Sequence, residues 1–370
     1  MTWAPITGPI QSALVVLECN ELDGTLDFFA DKLGFQLEVI SPADDPSMAV
    51  LAGYGLRIRL QVVAGSCAPS HLELMSPDPG ELFNGELNLI APNGTRINLI
   101  ESNPEVNIPP LAQSLVVSTI SGNAKWGFGR AGMEYRDLEP GRQGGRFIAS
   151  HIRIPDGGPV PDYVHFHKVR FQLIFCYRGW VKVVYEDQGE PFVLQAGDCV
   201  LQPPEIRHRV LESSSGLEVI EISCPAEHDT LVERLITLPT AQVKPDRIFG
   251  GQLFVRHEAA LATWLPWRYE GFEFRDLGIA EATFGLAGAR VIRPTTATQT
   301  PVVLVENEFF FTFVMDGSVT LVIPGQVDRV LEAGDSFVMP ADQKHALTDI
   351  ARDTQFLEVS LPGELRAIST

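Results

Sequence analysis

Basic residues, cysteines and long apolar runs are all scarce in this 370-residue sequence. Twenty-eight Lys and Arg stand against 47 Asp and Glu, a net charge of -19. That field repels phosphate backbones and anionic lipid surfaces, so neither nucleic acid nor a membrane is an expected partner. The five cysteines, Cys19, Cys67, Cys176, Cys199 and Cys224, are odd in number and sit mostly in apolar, strand-like runs. They are expected as buried free thiols of a reducing compartment, with no disulfide framework. No apolar run approaches the roughly 18–20 residues of a membrane helix, and the first residues carry neither a basic region nor a small-residue cleavage site. A cytoplasmic protein is expected.

Turn-forming residues are plentiful, with 32 Gly and 27 Pro, and convincing amphipathic helices are nearly absent, which predicts many short strands. The chain is too long for one core, so two or three domains are expected. Internal repetition divides it. "GMEYRDL" at 132–138 returns as "GFEFRDL" at 271–277, and "IRIP" at 152–155 as "VIRP" at 291–294, both 139 residues on. "LQAGDCVLQPPEIRH" at 194–208 matches "LEAGDSFVMPADQKH" at 331–345, and "LEVIEIS" at 217–223 matches "TQFLEVS" at 354–360, now 137 residues on. Each copy has period-two stretches such as "WVKVVYED" and "SVTLVIPG". The expectation is two tandem β-barrels of jelly-roll type, residues 112–226 and 253–370, joined by a linker at 227–252 whose "HDTLVERLI" suits a short helix. Residues 1–104 differ, reading as β-α-β-β-β with Leu26, Phe29 and Leu33 on one helix face. Further strands follow, including a hairpin at Asn93-Gly94.

Within the first repeat, "PDYVHFHKVRFQLIFCYRGW" at 161–180 sets His165 and His167 on one face of a strand, because side chains alternate with period two. A lone His-x-His on a strand is most often structural. Gln172, on what should be the next strand, offers an amide oxygen as a neutral hard ligand, and His208 is the candidate for a third imidazole. The expected metal set is therefore His165, His167, Gln172 and His208. Tyr163 shares the parity of His165 and is a candidate proton donor or substrate holder. Arg170 shares that of Gln172 and is a candidate partner for a substrate carboxylate. Cys176 and Trp180 are expected to pack, and His151 is not expected as a ligand.

These stretches resemble the two motifs of the cupin superfamily. His165, His167, Gln172 and Gly179 match the first; Gly197, Pro203 and His208 match the second. Gln172 stands where Glu is usual, and Glu205 where Gly is usual. The same positions in the second repeat are Val303, Val305, Phe310 and His345. That barrel is expected to be structural or a partner in dimerisation, with His345 hydrogen-bonded or at the solvent edge. The resemblance is to bicupins with one working site, an arrangement also found among gentisate-type dioxygenases, while quercetinase-type enzymes are the closer analogy for a fourth ligand. The N-terminal region is similar to the glyoxalase and bleomycin-resistance (vicinal oxygen chelate) superfamily, on "LVVLECNELDGTLDFFADKLGF" and "APNGTRINLIE". Leu14 and Asn98 stand at that family's metal positions, so this region is expected to be metal-free.

The resemblance implies a metal-dependent enzyme holding one divalent ion. Iron(II) is expected first, in a dioxygenase acting on a small phenolic, flavonol or diketone substrate. The alternative is a zinc, nickel or manganese isomerase, lyase or cyclase, which a neutral Gln172 suits because the ion keeps more positive charge for an anionic substrate oxygen. A non-catalytic binding protein is the third reading; it gives no reason for a ligand set kept in one repeat alone. A homodimer is expected from paired barrels with edge strands.

Overall fold

A computed structural model describes residues 12–42, 44–122 and 125–369. Most of the stretch read as lacking a leader lies outside them. Among the described residues no helix is long and apolar enough to cross a membrane. The chain forms two compact units, residues 1–105 and 106–370.

The first unit follows the β-α-β-β-β order. Its strands Val15–Cys19, Gln36–Ser41, Met48–Gly53 and Leu56–Val62 make one sheet, with the first parallel to the last. The helix between the first two runs Asp23–Asp27 and continues as a π turn over Phe28–Lys32. The Glu21 carboxylate accepts the Gly24 N–H at its start, satisfying a donor that has no partner inside the helix. Phe29 and Leu33 are buried against Leu51, Ile58 and Leu60, with Leu26 partly buried beside them. A three-stranded sheet, His71–Ser76, Arg96–Glu101 and Asn88–Ile90, completes the unit. Two short 3-10 turns, Pro79–Glu81 and Phe83–Gly85, connect His71–Ser76 to Asn88–Ile90.

The second unit is mainly β and contains two barrels built alike. In the first barrel a large antiparallel sheet carries the strands Phe171–Arg178, Leu217–Cys224 and Ile148–Ile154 at its centre, and the opposing sheet carries Trp180–Tyr185, His208–Ser213 and His165–His167. The second barrel repeats the large sheet with Phe309–Asp316, Gln355–Leu361 and Gly288–Pro294. Alternation along these strands decides what each side chain meets. Phe171, Leu173 and Phe175 join Phe309, Phe311 and Phe313 in a core shared by the two barrels, while Gln172, Ile174 and Cys176 face the inside of the first.

The barrels also exchange strands. Val116–Ser118 pairs with Ser336–Val338 of the second barrel, and its repeat equivalent, Val255–His257, pairs with Cys199–Leu201 of the first. Each repeat therefore lends the other its leading edge strand, which a boundary drawn at 112 or 253 does not reveal. The linker differs from expectation as well. "HDTLVERLI" is not a helix; Thr230–Val232 is a strand that pairs with His165–His167. Thr and Val are β-branched, and an open sheet edge offers them more hydrogen bonds than a short isolated helix would.

Candidate metal centre

His165 and His208 face each other across one antiparallel pair, and His167 lies two residues along the same strand. All three are buried, at 0%, 8% and 5% exposure for His165, His167 and His208, with Phe166 between them turned the other way under the Arg207 guanidinium. One ring nitrogen from each of the three lies within 4.8 Å of the others. Every Nδ1 meets a backbone carbonyl: His165 that of Tyr163 at 2.8 Å, His167 that of Asp229 at 3.0 Å, His208 that of Ile206 at 3.0 Å. A carbonyl can only accept, so each Nδ1 must carry the proton, and each Nε2 is left with its lone pair. His165 Nδ1 also lies 3.6 Å from Asp162 Oδ1. Burial holds His167 below the ordinary histidine range, against the opposing charge of Glu221, so protons compete weakly for it.

Gln172 lines the same cavity as the triad. Its Nε2 donates to Glu221 Oε1 at 2.8 Å, and Ser223 Oγ donates to the same oxygen at 3.1 Å. The Glu221 oxygen accepts from both, so it fixes the Gln172 amide with its NH2 toward itself and its oxygen turned away. Three imidazoles protonated on Nδ1, with Nε2 as the donor atom, and one oriented amide oxygen are donors of the type that a divalent ion takes. The residues present fit the metal that the sequence implies.

The cavity is about 700 Å³ including its mouth. Apart from the polar end it is walled by aliphatic side chains, among them Ile152, Ile174, Val183 and Leu217. Gln202 Nε2 donates to Tyr185 Oη at 2.9 Å, and the Tyr185 ring stacks on His208 at 5.5 Å. Burial raises the Tyr185 phenol well above its usual range, so it stays protonated and can donate. Among the described residues that line it, none is Lys or Arg.

Tyr163 and Arg170 do not line the cavity, although the Tyr163 ring meets the His165 ring edge-on with centroids 5.9 Å apart. Tyr163 is 45% exposed, does not line the cavity and contributes its carbonyl rather than its hydroxyl. The strand begins only at His165, so period-two parity does not reach back to residue 163. Arg170 precedes its strand in the same way and pairs with Glu308 of the second barrel at 2.7 and 3.3 Å. Cys176 packs inside the first barrel, its thiol pushed up to about 12 by burial. His151 is bonded to Glu218 at 2.6 Å, away from the triad.

Sequence reasoning missed Glu221, Tyr185, Gln202 and His228, whose ring lies 5.2 Å from that of His167. A signal for Glu221 was present: it falls in the repeated "LEVIEIS" stretch, aligned with Glu358, and alternation puts it inward.

Glu205 takes a left-handed backbone, φ 61°, at the position where the motif usually has glycine. Its N–H donates to the His167 carbonyl at 2.9 Å. The turn that sets His208 thus demands a conformation in which a side chain is strained.

In the second barrel Val303 faces His345 as His165 faces His208. Val303, Val305 and Phe310 are buried and apolar. His345 is not at the solvent edge; it is 4% exposed beside Phe310 and Phe337, and burial pushes its pKa down to about 4.

Comparison with known proteins agrees with this architecture. The EutQ-like cupin domain family matches residues 288–355, in the barrel that lacks the histidine set. No curated protein matches the chain. Among solved structures, a serine-to-alanine mutant of Bacillus subtilis oxalate decarboxylase is similar at 12% identity and a TM-score of 0.52, covering 72% of this chain and 81% of that one. The formate complex of Lactobacillus farciminis oxalate decarboxylase gives 14% identity and 0.52, covering 71% and 91%. The Bacillus subtilis enzyme at pH 4.6 gives 12% and 0.51, covering 72% and 79%. At such identities the likeness is one of fold. The unit formed by residues 106–370 therefore has the two-barrel fold of those structures, with the cupin family match in its second barrel.

Proposed function

We propose that this bicupin is a metal-dependent enzyme whose single centre is formed by His165, His167 and His208 with Gln172 as fourth donor. One observation carries the reading: all three Nδ1 atoms are committed to backbone carbonyls, which makes Nε2 the donor atom of each, and ring nitrogens of the three converge within 4.8 Å. When bound there, the ion supplies Lewis acidity to a substrate oxygen and, as iron(II), redox chemistry with dioxygen.

The chain's own residues shape the rest. Glu221 holds the Gln172 amide in register. Aliphatic walls keep water from the polar end, and the Tyr185 hydroxyl, steadied by Gln202, is a donor to a substrate oxygen. With no Lys or Arg in the lining and a carboxylate at Glu221, a compact dianion such as oxalate finds no side-chain cation. An apolar body carrying a phenolic or enolisable oxygen suits the cavity better, and this supports a dioxygenase acting on a phenol, flavonol or diketone.

A second reading is favoured by the neutral amide at Gln172, where redox iron sites commonly use a carboxylate. It is a zinc, nickel or manganese lyase, isomerase or cyclase acting on the same kind of substrate. Oxygen uptake and product analysis over a panel of phenols and 1,3-diketones separate the two. Product formed only with dioxygen consumed supports the first; product formed equally under strict anaerobiosis supports the second. No turnover of any panel member by fully metallated protein counts against both.

A further inference from the structure

We propose that the second barrel, which lacks the histidine set, is a binding site for a small monocarboxylate with an apolar body. Its interior is a cavity of about 420 Å³ including the mouth, separate from that of the first barrel. Three donors gather on the hairpin segment that closes it. Trp267 Nε1 and Tyr269 Oη are buried and have no hydrogen-bond acceptor in the described chain. Between them lies the Arg268 guanidinium, 4.0 Å from the Trp267 ring and 4.9 Å from the Tyr269 ring, so the aromatic faces hold it in place.

Charge points to the same ligand. Glu358, 3% exposed, is the only acidic residue among the described residues lining the cavity. It is answered by Arg268 at 3.2 Å on one oxygen and Arg290 at 3.6 Å on the other. Arg290 does not line the cavity, and by sharing the neutralisation of Glu358 from outside it leaves Arg268 uncommitted to that carboxylate alone. Arg268 makes one hydrogen bond to Glu358, and a guanidinium has five N–H donors, arranged to match a carboxylate. Below this polar mouth the walls are Phe272, Ile292, Phe310, Phe337 and Phe356, which suit an aromatic or branched aliphatic body. A barrel serving only as packing has no use for a donor cluster over a hollow.

The test uses benzoate as the probe, titrated calorimetrically into the metal-stripped full chain, with melting temperature as a second readout. Wild type and the His165→Ala/His167→Ala variant are expected to bind benzoate alike and to gain melting temperature alike. Arg268→Gln, an alteration at the mouth, is expected to weaken binding about tenfold or more while melting normally without benzoate. Trp267→Phe, which keeps an aromatic ring and loses the N–H, is expected to weaken it by a smaller factor. Absence of binding to wild type, equal binding by both mouth variants, or loss of binding in the histidine variant would each overturn the proposal. So would benzyl alcohol binding as tightly as benzoate. Because the protein is metal-free throughout, the result is independent of whether the first barrel is a catalytic centre.

Discussion

Substituting Glu221 separates two ways in which one carboxylate can support the metal site. In Glu221→Leu the Gln172 Nε2–H and the Ser223 Oγ–H both lose the acceptor they have at 2.8 and 3.1 Å. Gln172 is 2% exposed, so water does not readily replace that partner, and a buried donor left unpaired costs about 1–3 kcal/mol. The amide is then free to flip, and its oxygen no longer has a fixed direction. Residues that orient metal ligands typically contribute about 10–100-fold in metal affinity, and Glu221→Leu is expected to lose that much. Glu221→Gln removes the charge but can still offer a carbonyl oxygen to the same N–H, so its loss should be smaller. The assay is competition with a calibrated chelator on metal-stripped protein at fixed pH, alongside urea unfolding of the metal-free form. The expected order of affinity is wild type, then Gln, then Leu. Leucine within twofold of wild type, or glutamine as weak as leucine, would refute the claim that Glu221 acts by holding the Gln172 amide.

Three further outcomes are expected. Glu205→Gly relieves the left-handed backbone at φ 61° and should stabilise the fold by up to about 1 kcal/mol in urea unfolding, with metal content unchanged. His345 is pushed down to about 4 by burial, below its ordinary 6.5. The unfolded chain therefore binds a proton that the folded one refuses between these values, and stability falls as pH drops through that window. The variant His345→Phe should lack about 2 kcal/mol of the loss that wild type suffers between pH 8 and pH 5; identical pH profiles would contradict this. Phe311 is fully buried in the core shared by the barrels, so Phe311→Ala should cost about 3–5 kcal/mol and leave a single unfolding transition for the two-barrel unit.

How much of this was legible in the sequence depended on how local the signal was. The repeat and its period-two strands determine the two barrels, and strand parity with motif spacing brings His165, His167, Gln172 and His208 to one cavity. Parity fails one step outside a strand. Tyr163 and Arg170 both precede the strand whose alternation was extended to them, and their side chains lie where loops direct them. The strand exchange was hidden because Val116–Ser118 and Val255–His257 are equivalent, and nothing local states which sheet each edge completes. The role of the linker was hidden for a related reason: Asp229 acts through its backbone carbonyl on His167, and a carbonyl has no sequence signature. In the second barrel the loss of the histidines was plain, whereas the gathering of Trp267, Arg268 and Tyr269 over Glu358 depends on a hairpin and a strand 90 residues apart.

The central claim is that the first barrel holds one divalent ion on His165, His167 and His208. Elemental mass spectrometry on protein purified anaerobically without a metal-binding tag tests it most directly, with the His165→Ala/His167→Ala variant beside it. The expected result is about one divalent ion per chain in wild type and none in the variant, with the variant still folded by circular dichroism. Wild-type protein that holds no ion after reconstitution with iron, manganese, nickel or zinc, or a variant that keeps it, would contradict the account.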